Sequence, residues 1–250
     1  MSVRLSVVAL EVALGVAVAL AGCSSDGATD ASSAATSLTS TGATTSTVAA
    51  TNPPTTVAAV AVATTAVPTT LPPPVYVFPF VGKSVSFGST HHDYPAIDVF
   101  GCGATVVAPT DGTVLQTRDF DAWDPQVDSP ANRGGKYVAM LGRDGVRYYF
   151  AHLASVAVVV GQAVQPGDPL GVMGQTGNAR QSACHTHVGF SWPCPGNEWQ
   201  VRRGEIWPQD YLDAWRNGEQ TSPALEVYAA EKAAPEACAT AMADPEAGDA

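Results

Sequence analysis

Basic charge is what this chain has least of: 12 Lys and Arg stand against 23 Asp and Glu in 250 residues, a formal net charge of −11. Nucleic-acid backbones are bound by basic patches, so this balance argues against nucleic acid as a partner. Long apolar runs are scarce as well. The stretch from Val12 to Ala21 falls short of the ~20 apolar residues that a transmembrane helix needs. No long segment ahead of the C-terminal region carries a convincing helical period, which argues against a helical bundle. Histidine is absent from both ends: all five lie between His91 and His187.

The first 23 residues read as a targeting segment and are set aside from the fold. Arg4 gives the positive start, the apolar run follows, and Leu20-Ala21-Gly22-Cys23 has the form of a bacterial lipobox with Cys23 as the lipidated residue. The mature protein is expected outside the cytoplasm, held to a membrane by its N-terminal lipid. Residues 24–74 consist almost entirely of Ser, Thr, Ala, Gly, Val and Pro, with Asp26 and Asp30 as their only charges. Without aromatics or periodicity such a segment cannot bury enough apolar surface to offset chain entropy. A disordered linker is expected there, with a reach of roughly 40 Å as a flexible coil.

From Val75 to about residue 217 the character changes. Short apolar runs alternate with turn signals, such as Thr105 to Ala108 before Pro109-Thr110-Asp111-Gly112. Lys136 to Leu141 and Val146 to Ala151 flank Gly142-Arg143-Asp144-Gly145, a hairpin signal. These features predict a mainly β, antiparallel domain, folded as sheets or a barrel, with one short helix between Trp207 and Asn217. The four tryptophans from Trp192 to Trp215 are read as packing for the C-terminal segment. Residues 218–250 read as an acidic tail whose end is disordered.

With Cys23 lipidated, four cysteines remain, and an even number in an exported chain predicts two disulfides. The short spacing favours Cys184 with Cys194, leaving Cys102 with Cys238. A thiolate metal ligand at Cys184 is the competing reading.

The histidines fall into three groups: His91-His92, His152, and His185 with His187. The last pair opens an alternating apolar stretch, so on a strand both side chains leave from one face. His92 and Asp98 are separated by an even number of positions, and on an extended segment they face the same side. The acidic group Asp119, Asp121, Asp124 and Asp128 lacks the spacing of an EF-hand and reads as a solvated loop.

In order, these motifs resemble the lysostaphin/LytM-type zinc metallopeptidases, which cleave peptide bonds in bacterial peptidoglycan. The family's first His and Asp appear as His92 and Asp98, and its glycine-bounded hairpin as Gly103 to Gly112. The segment ending in His-Leu appears as Tyr149 to Leu153, the G-x-x-V-x-x-G-D-x-L-G turn as Gly161 to Gly171, and the final pair as His185 and His187. The resemblance implies one Zn2+ held by His92, Asp98 and His187, with His152 and His185 as the catalytic pair. It departs from this chain in one place. The family usually has three residues between the first ligand and the Asp, whereas five separate His92 from Asp98 and six separate His91 from it. Strand parity favours His92, with His91 as a neighbour that orients substrate or supports the site.

Zinc accepts imidazole nitrogens and a carboxylate, and catalytic sites keep one position open for water. The resemblance then implies that His152 takes a proton from that water and His185 stabilises the oxyanion. The expected protein is a monomeric, membrane-anchored endopeptidase acting on peptidoglycan peptides. Its rivals are a catalytically silent module of the same fold, binding the wall or activating another hydrolase, and an envelope protein using a closed four-ligand zinc site.

Overall fold

A computed structural model describes residues 71–92, 94–196 and 198–244. The targeting segment, Cys23 and most of the expected linker lie outside the described residues. Among those described, no helix is long and apolar enough to cross a membrane.

The domain is built from short antiparallel strands: β1 (Phe80–Val81), β2 (Ser86–Phe87), β3 (Ile97–Phe100), β4 (Thr105–Val107), β5 (Gly112–Arg118), β6 (Tyr137–Gly142), β7 (Arg147–Phe150), β8 (Leu153–Val156), β9 (Ala163–Val164), β10 (Pro169–Met173) and β11 (His185–Ser191). One sheet has the order β1-β4-β10-β8, the other β2-β3-β11-β7-β6-β5-β9. The hairpin at Gly142 to Gly145 is present, with Leu141 opposite Arg147. The fold is therefore the mainly antiparallel β class that the sequence predicts.

Period-two alternation divides the larger sheet into two faces. Ile97, Val99, Val138, Met140, Tyr148, Phe150, Val188 and Phe190 point into the main core and are almost wholly buried. Each contributes roughly 1.5–3 kcal/mol of apolar burial. The residues between them point the other way, where Tyr137, Ala139, Tyr149 and Ala151 form a second, small cluster. That second face carries the histidines.

Four helices follow β11: α1 (Trp199–Arg202), α2 (Gln209–Arg216), α3 (Ala224–Ala233) and α4 (Ala237–Ala243). The expected helix is α2, which turns Leu212 and Trp215 inward; Trp215 stacks on Tyr76 with ring centroids 5.3 Å apart. The other three were not foreseen. The acidic tail folds into α3 and α4 because alanine has the highest helix propensity, and burial of Val227 and Ala241 docks both helices. Of the four tryptophans read as packing, Trp192, Trp199 and Trp215 are buried, whereas Trp207 is exposed.

The disulfides correct the expected pairing: Cys102 joins Cys184, and Cys194 joins Cys238. Between Cys184 and Cys194 runs the whole of β11, seven residues, and at ~3.3 Å per residue its ends are held roughly 20 Å apart. A disulfide spans no more than about 7 Å between Cα atoms. Phe100 of β3 lies opposite His185 of β11, so Cys102 and Cys184 emerge side by side, 5.2 Å apart at Cα. Cys194 instead fastens α4 to the loop after β11. Closing loops of 82 and 44 residues contributes on the order of 4 kcal/mol each in the chain-entropy account.

The loop before α1 is fixed from inside. Glu198, fully buried, pairs with the Arg147 guanidinium, itself 1 % exposed, and Arg147 Nε donates to Ser191 Oγ at 3.0 Å. Burial pushes the Arg147 pKa down, opposed by the Glu198 charge and hydrogen bond. Removing one partner leaves an uncompensated interior charge. Glu198→Ala is expected to lower the unfolding free energy by about 3–5 kcal/mol, measured by denaturant titration.

Candidate active site

β11 runs between β3 and β7, and its register assembles the site. His187 sits directly opposite Asp98, His185 opposite Phe100, and Gly189 opposite Tyr149. Opposed residues on neighbouring strands share a face, so Asp98, His185 and His187 converge on the side away from the main core. They line a cavity of about 340 Å³ together with His91, His92, His152, Tyr149 and Arg203, among others.

Among the described residues, His91, Asp98 and His187 form a group whose ligand atoms all lie within 4.8 Å of one another. His91 Nε2 is 3.8 Å from Asp98 Oδ2, and His187 Nδ1 is 3.2 Å from Asp98 Oδ1. The group that could hold a metal thus contains His91, where the sequence favours His92. The segment before Ile97 is not a strand, so parity does not govern which histidine faces Asp98. His92 is exposed at the cavity edge, its ring centroid 5.3 Å from that of His91. His91 is largely enclosed and packs on His187 at 5.0 Å between ring centroids. The six residues between His91 and Asp98 are taken up by the turn through Tyr94 and Pro95.

The donor set suits a metal on chemical grounds. His187 Nε2 donates to the Arg203 carbonyl at 2.8 Å, which places the proton of a neutral ring on Nε2. Nδ1 then turns a lone pair towards a carboxylate oxygen 3.2 Å away. Two acceptors facing each other are relieved by a cation between them, and two imidazoles with one carboxylate are ligands that zinc accepts. Asp98 is ready for this role. Burial pushes its pKa up, but the facing histidines His187, His185 and His91 outweigh that and hold it well below the usual carboxylate range.

His152 and His185 face each other with ring centroids 4.8 Å apart. His185 Nδ1 donates to the Ala183 carbonyl at 2.7 Å, leaving Nε2 directed inward, 3.7 Å from Asp98 Oδ2. His152 follows β7 in a left-handed conformation (φ 62°), which a non-glycine residue adopts only when its surroundings fix it. Its backbone N–H donates to the Gly134 carbonyl at 2.9 Å, and its Nδ1 donates to the Thr176 carbonyl at 2.9 Å. Nε2 of a neutral His152 is therefore a bare acceptor. The expected catalytic pair and the expected ligands Asp98 and His187 are thus together in one cavity.

The sequence did not point to several of the groups that line this cavity. Arg202 lies over the Tyr137 and Tyr149 rings at 4.4 and 5.2 Å, and Arg203 over Tyr94 at 3.9 Å. Both arginines reach the cavity because α1 is docked on β11, and α1 has too few residues to leave a periodic signal. Cys184 is disulfide-bonded, which excludes it as a thiolate ligand. Asp121 accepts hydrogen bonds from Gly177 N, Trp123 N and Arg180, and Asp128 accepts from Arg133 and Trp123 Nε1. Neither lines the cavity itself, but Asp128 holds Arg133, which does.

Residues 93–199 match the model of peptidase family M23. That stretch is similar to an M23 peptidase domain. Solved structures with similarity to it include a candidate glycyl-glycine endopeptidase lytM from Ruminococcus gnavus, 21% identical, TM-score 0.44, with 59% of this chain and 63% of that one covered. Another is the catalytic domain of the antimicrobial peptidase lysostaphin from Staphylococcus simulans: 22% identical, TM-score 0.38, 53% and 92% covered. A third, a zinc-containing peptidase from Vibrio cholerae, is 20% identical with TM-score 0.35, covering 46% and 36%. The chain thus spans less than two thirds of the Ruminococcus structure. No curated protein matches it significantly.

Two outcomes follow for this domain. His91→Ala is expected to abolish binding of one zinc per chain, while His92→Ala retains it, as read by metal analysis after dialysis. The second concerns acid stability of the metal-free protein. Burial, with the charges of His187 and His185, lowers the His152 pKa from 6.5 to about 3. Between those values the unfolded chain binds a proton that the folded chain refuses, so stability falls as the pH falls through that window. In His152→Ala the slope of unfolding free energy against pH is expected to be shallower there, by up to about 1.4 kcal/mol per pH unit.

Proposed function

We propose that this protein is a zinc-dependent endopeptidase that hydrolyses peptide bonds in bacterial peptidoglycan. The observation that carries the reading is the convergence of His91, Asp98 and His187 with the inward-facing Nε2 atoms of His152 and His185. His91, Asp98 and His187 would hold the metal. Zinc bound there supplies a Lewis acid that polarises the scissile carbonyl and acidifies a water.

The remaining chemistry belongs to the chain's own side chains. His152, with its proton fixed on Nδ1, accepts a proton from the attacking water at Nε2 and later delivers it to the leaving amine. His185 hydrogen-bonds through Nε2 to the oxygen on which negative charge develops. The Asp98 carboxylate lies 3.7 Å from that nitrogen. Tyr149 closes the cavity floor on the side of β7, and the Arg202 and Arg203 side chains wall it on the side of α1.

The substrate class rests on the ordered motif resemblance from His92 to His187 together with the match of residues 93–199 to the model of peptidase family M23. The lipobox at Cys23, the Ser/Thr/Pro-rich linker and the two disulfides support a mature protein outside the cytoplasm. There it would be tethered to a membrane by lipid and would reach the cell wall through its linker. The test is digestion of purified sacculi by the mature protein, with products read by mass spectrometry, for wild type and His152→Ala. New peptide termini from wild type, lost by at least about 10³-fold in a variant that keeps one zinc per chain, are expected. Bound zinc without cleavage of any wall type would overturn the catalytic reading in favour of a silent wall-binding module.

A further inference from the structure

We propose that Asp121 is a positioning residue for His152, acting through the Thr176–Gly177 peptide group that lies between them. The inference rests on the reading of His152 as the proton acceptor, and it adds a residue that the motif resemblance does not contain.

One peptide unit joins the two side chains. Its carbonyl, from Thr176, accepts the His152 Nδ1 proton at 2.9 Å. Its N–H, from Gly177, donates to Asp121 Oδ2 at 2.9 Å. A carboxylate on the N–H side draws electron density towards the carbonyl oxygen, and hydrogen bonds chained through one amide strengthen each other by roughly 10–30%. Asp121 thus reaches the imidazole as a carboxylate bonded directly to Nδ1 would, one amide further away. It favours the Nδ1–H tautomer, keeps Nε2 bare, and fixes the plane of the ring.

The amide has little freedom to turn elsewhere. Gly177 has φ +68°, and a Cβ there would stand 2.0 Å from the Arg133 carbonyl oxygen, so the position demands glycine. Thr176 Oγ1 accepts from Lys136 N at 3.0 Å and donates to the Leu153 carbonyl at 2.8 Å. Asp121 is itself held by Trp123 N at 3.2 Å and by Arg180 Nε at 2.9 Å. Burial pushes its pKa up, but the Gly177 N–H, Arg180 and the Trp123 N–H outweigh that and bring it below the ordinary carboxylate value. Asp121 is therefore ionised at neutral pH.

The test combines long-range 1H–15N spectra of the histidine rings with kcat and KM on a soluble peptidoglycan-derived peptide, using the full mature protein. Wild type is expected to show His152 wholly as the Nδ1–H tautomer. Asp121→Ala is expected to admit the Nε2–H tautomer and to lose about 10- to 100-fold in kcat, with KM within about twofold and zinc content unchanged. Asp121→Asn keeps an acceptor but not the charge: its His152 Nδ1–H resonance moves upfield, and its kcat falls between the other two. Arg180→Ala, which removes the ion pair but leaves the bridge, keeps the wild-type tautomer and a kcat within about twofold. An unchanged tautomer and Nδ1–H resonance in both Asp121 variants would overturn the proposal. So would an Arg180→Ala protein as impaired as Asp121→Ala, since the ion pair would then be what matters. If Asp121→Ala fails to fold, the Asn resonance decides. If wild type cleaves no peptide, the enzymatic reading fails while the tautomer comparison still decides this one.

Discussion

Everything in this domain depends on the pairing of one strand, β11, with β3 on one side and β7 on the other. With His187 fixed opposite Asp98, period-two alternation determines the rest. Thr186, Val188 and Phe190 enter the core, while His185 and His187 enter the cavity. A slip of one residue would bury the two histidines among Ile97, Val99 and Phe150 and expose the core residues instead. The apolar side of the strand thus enforces the register on which the polar side relies. Site geometry is a by-product of core packing, which explains how short strands hold their side chains to a few ångström.

The strands were readable because they are patterned. The hairpin at Gly142 to Gly145 and the facing pair His185 and His187 both follow from alternation and turn residues alone. What failed was an inference that carried strand logic beyond a strand. His91 and His92 precede β3 in an irregular turn, where counting positions says nothing about direction, and enclosure against His187 decides for His91. The disulfides failed for a related reason. Cys184 and Cys194 are close in sequence, but an extended strand is the one element that keeps close residues far apart. The helices of the tail were hidden because their composition looked like solvated chain. Alanine gives helix propensity without a strong amphipathic signal, and docking is supplied by Val227, Ala241 and the Cys194–Cys238 bridge.

Around the cavity histidines lie contacts that no short motif announces. His152 stands in a left-handed conformation held by Gly134 and Thr176. His187 is orientated by the Arg203 carbonyl, and that carbonyl is placed by a helix whose entry depends on the buried Arg147–Glu198 pair. Each of these links a cavity histidine to backbone from a distant part of the chain. They are long-range consequences of the fold, and a linear reading of residue types has no access to them.

The Cys102–Cys184 bridge closes a ring of chain that contains His152 and most of the larger sheet, and the Cys194–Cys238 bridge closes a second. A protease that cuts once inside either ring releases nothing, because the two pieces stay joined through sulfur. A single nick in the loop from Asp119 to Ser129 would leave His91, Asp98, His152, His185 and His187 in one covalent body. These bridges set how many cuts it takes to dismantle the site.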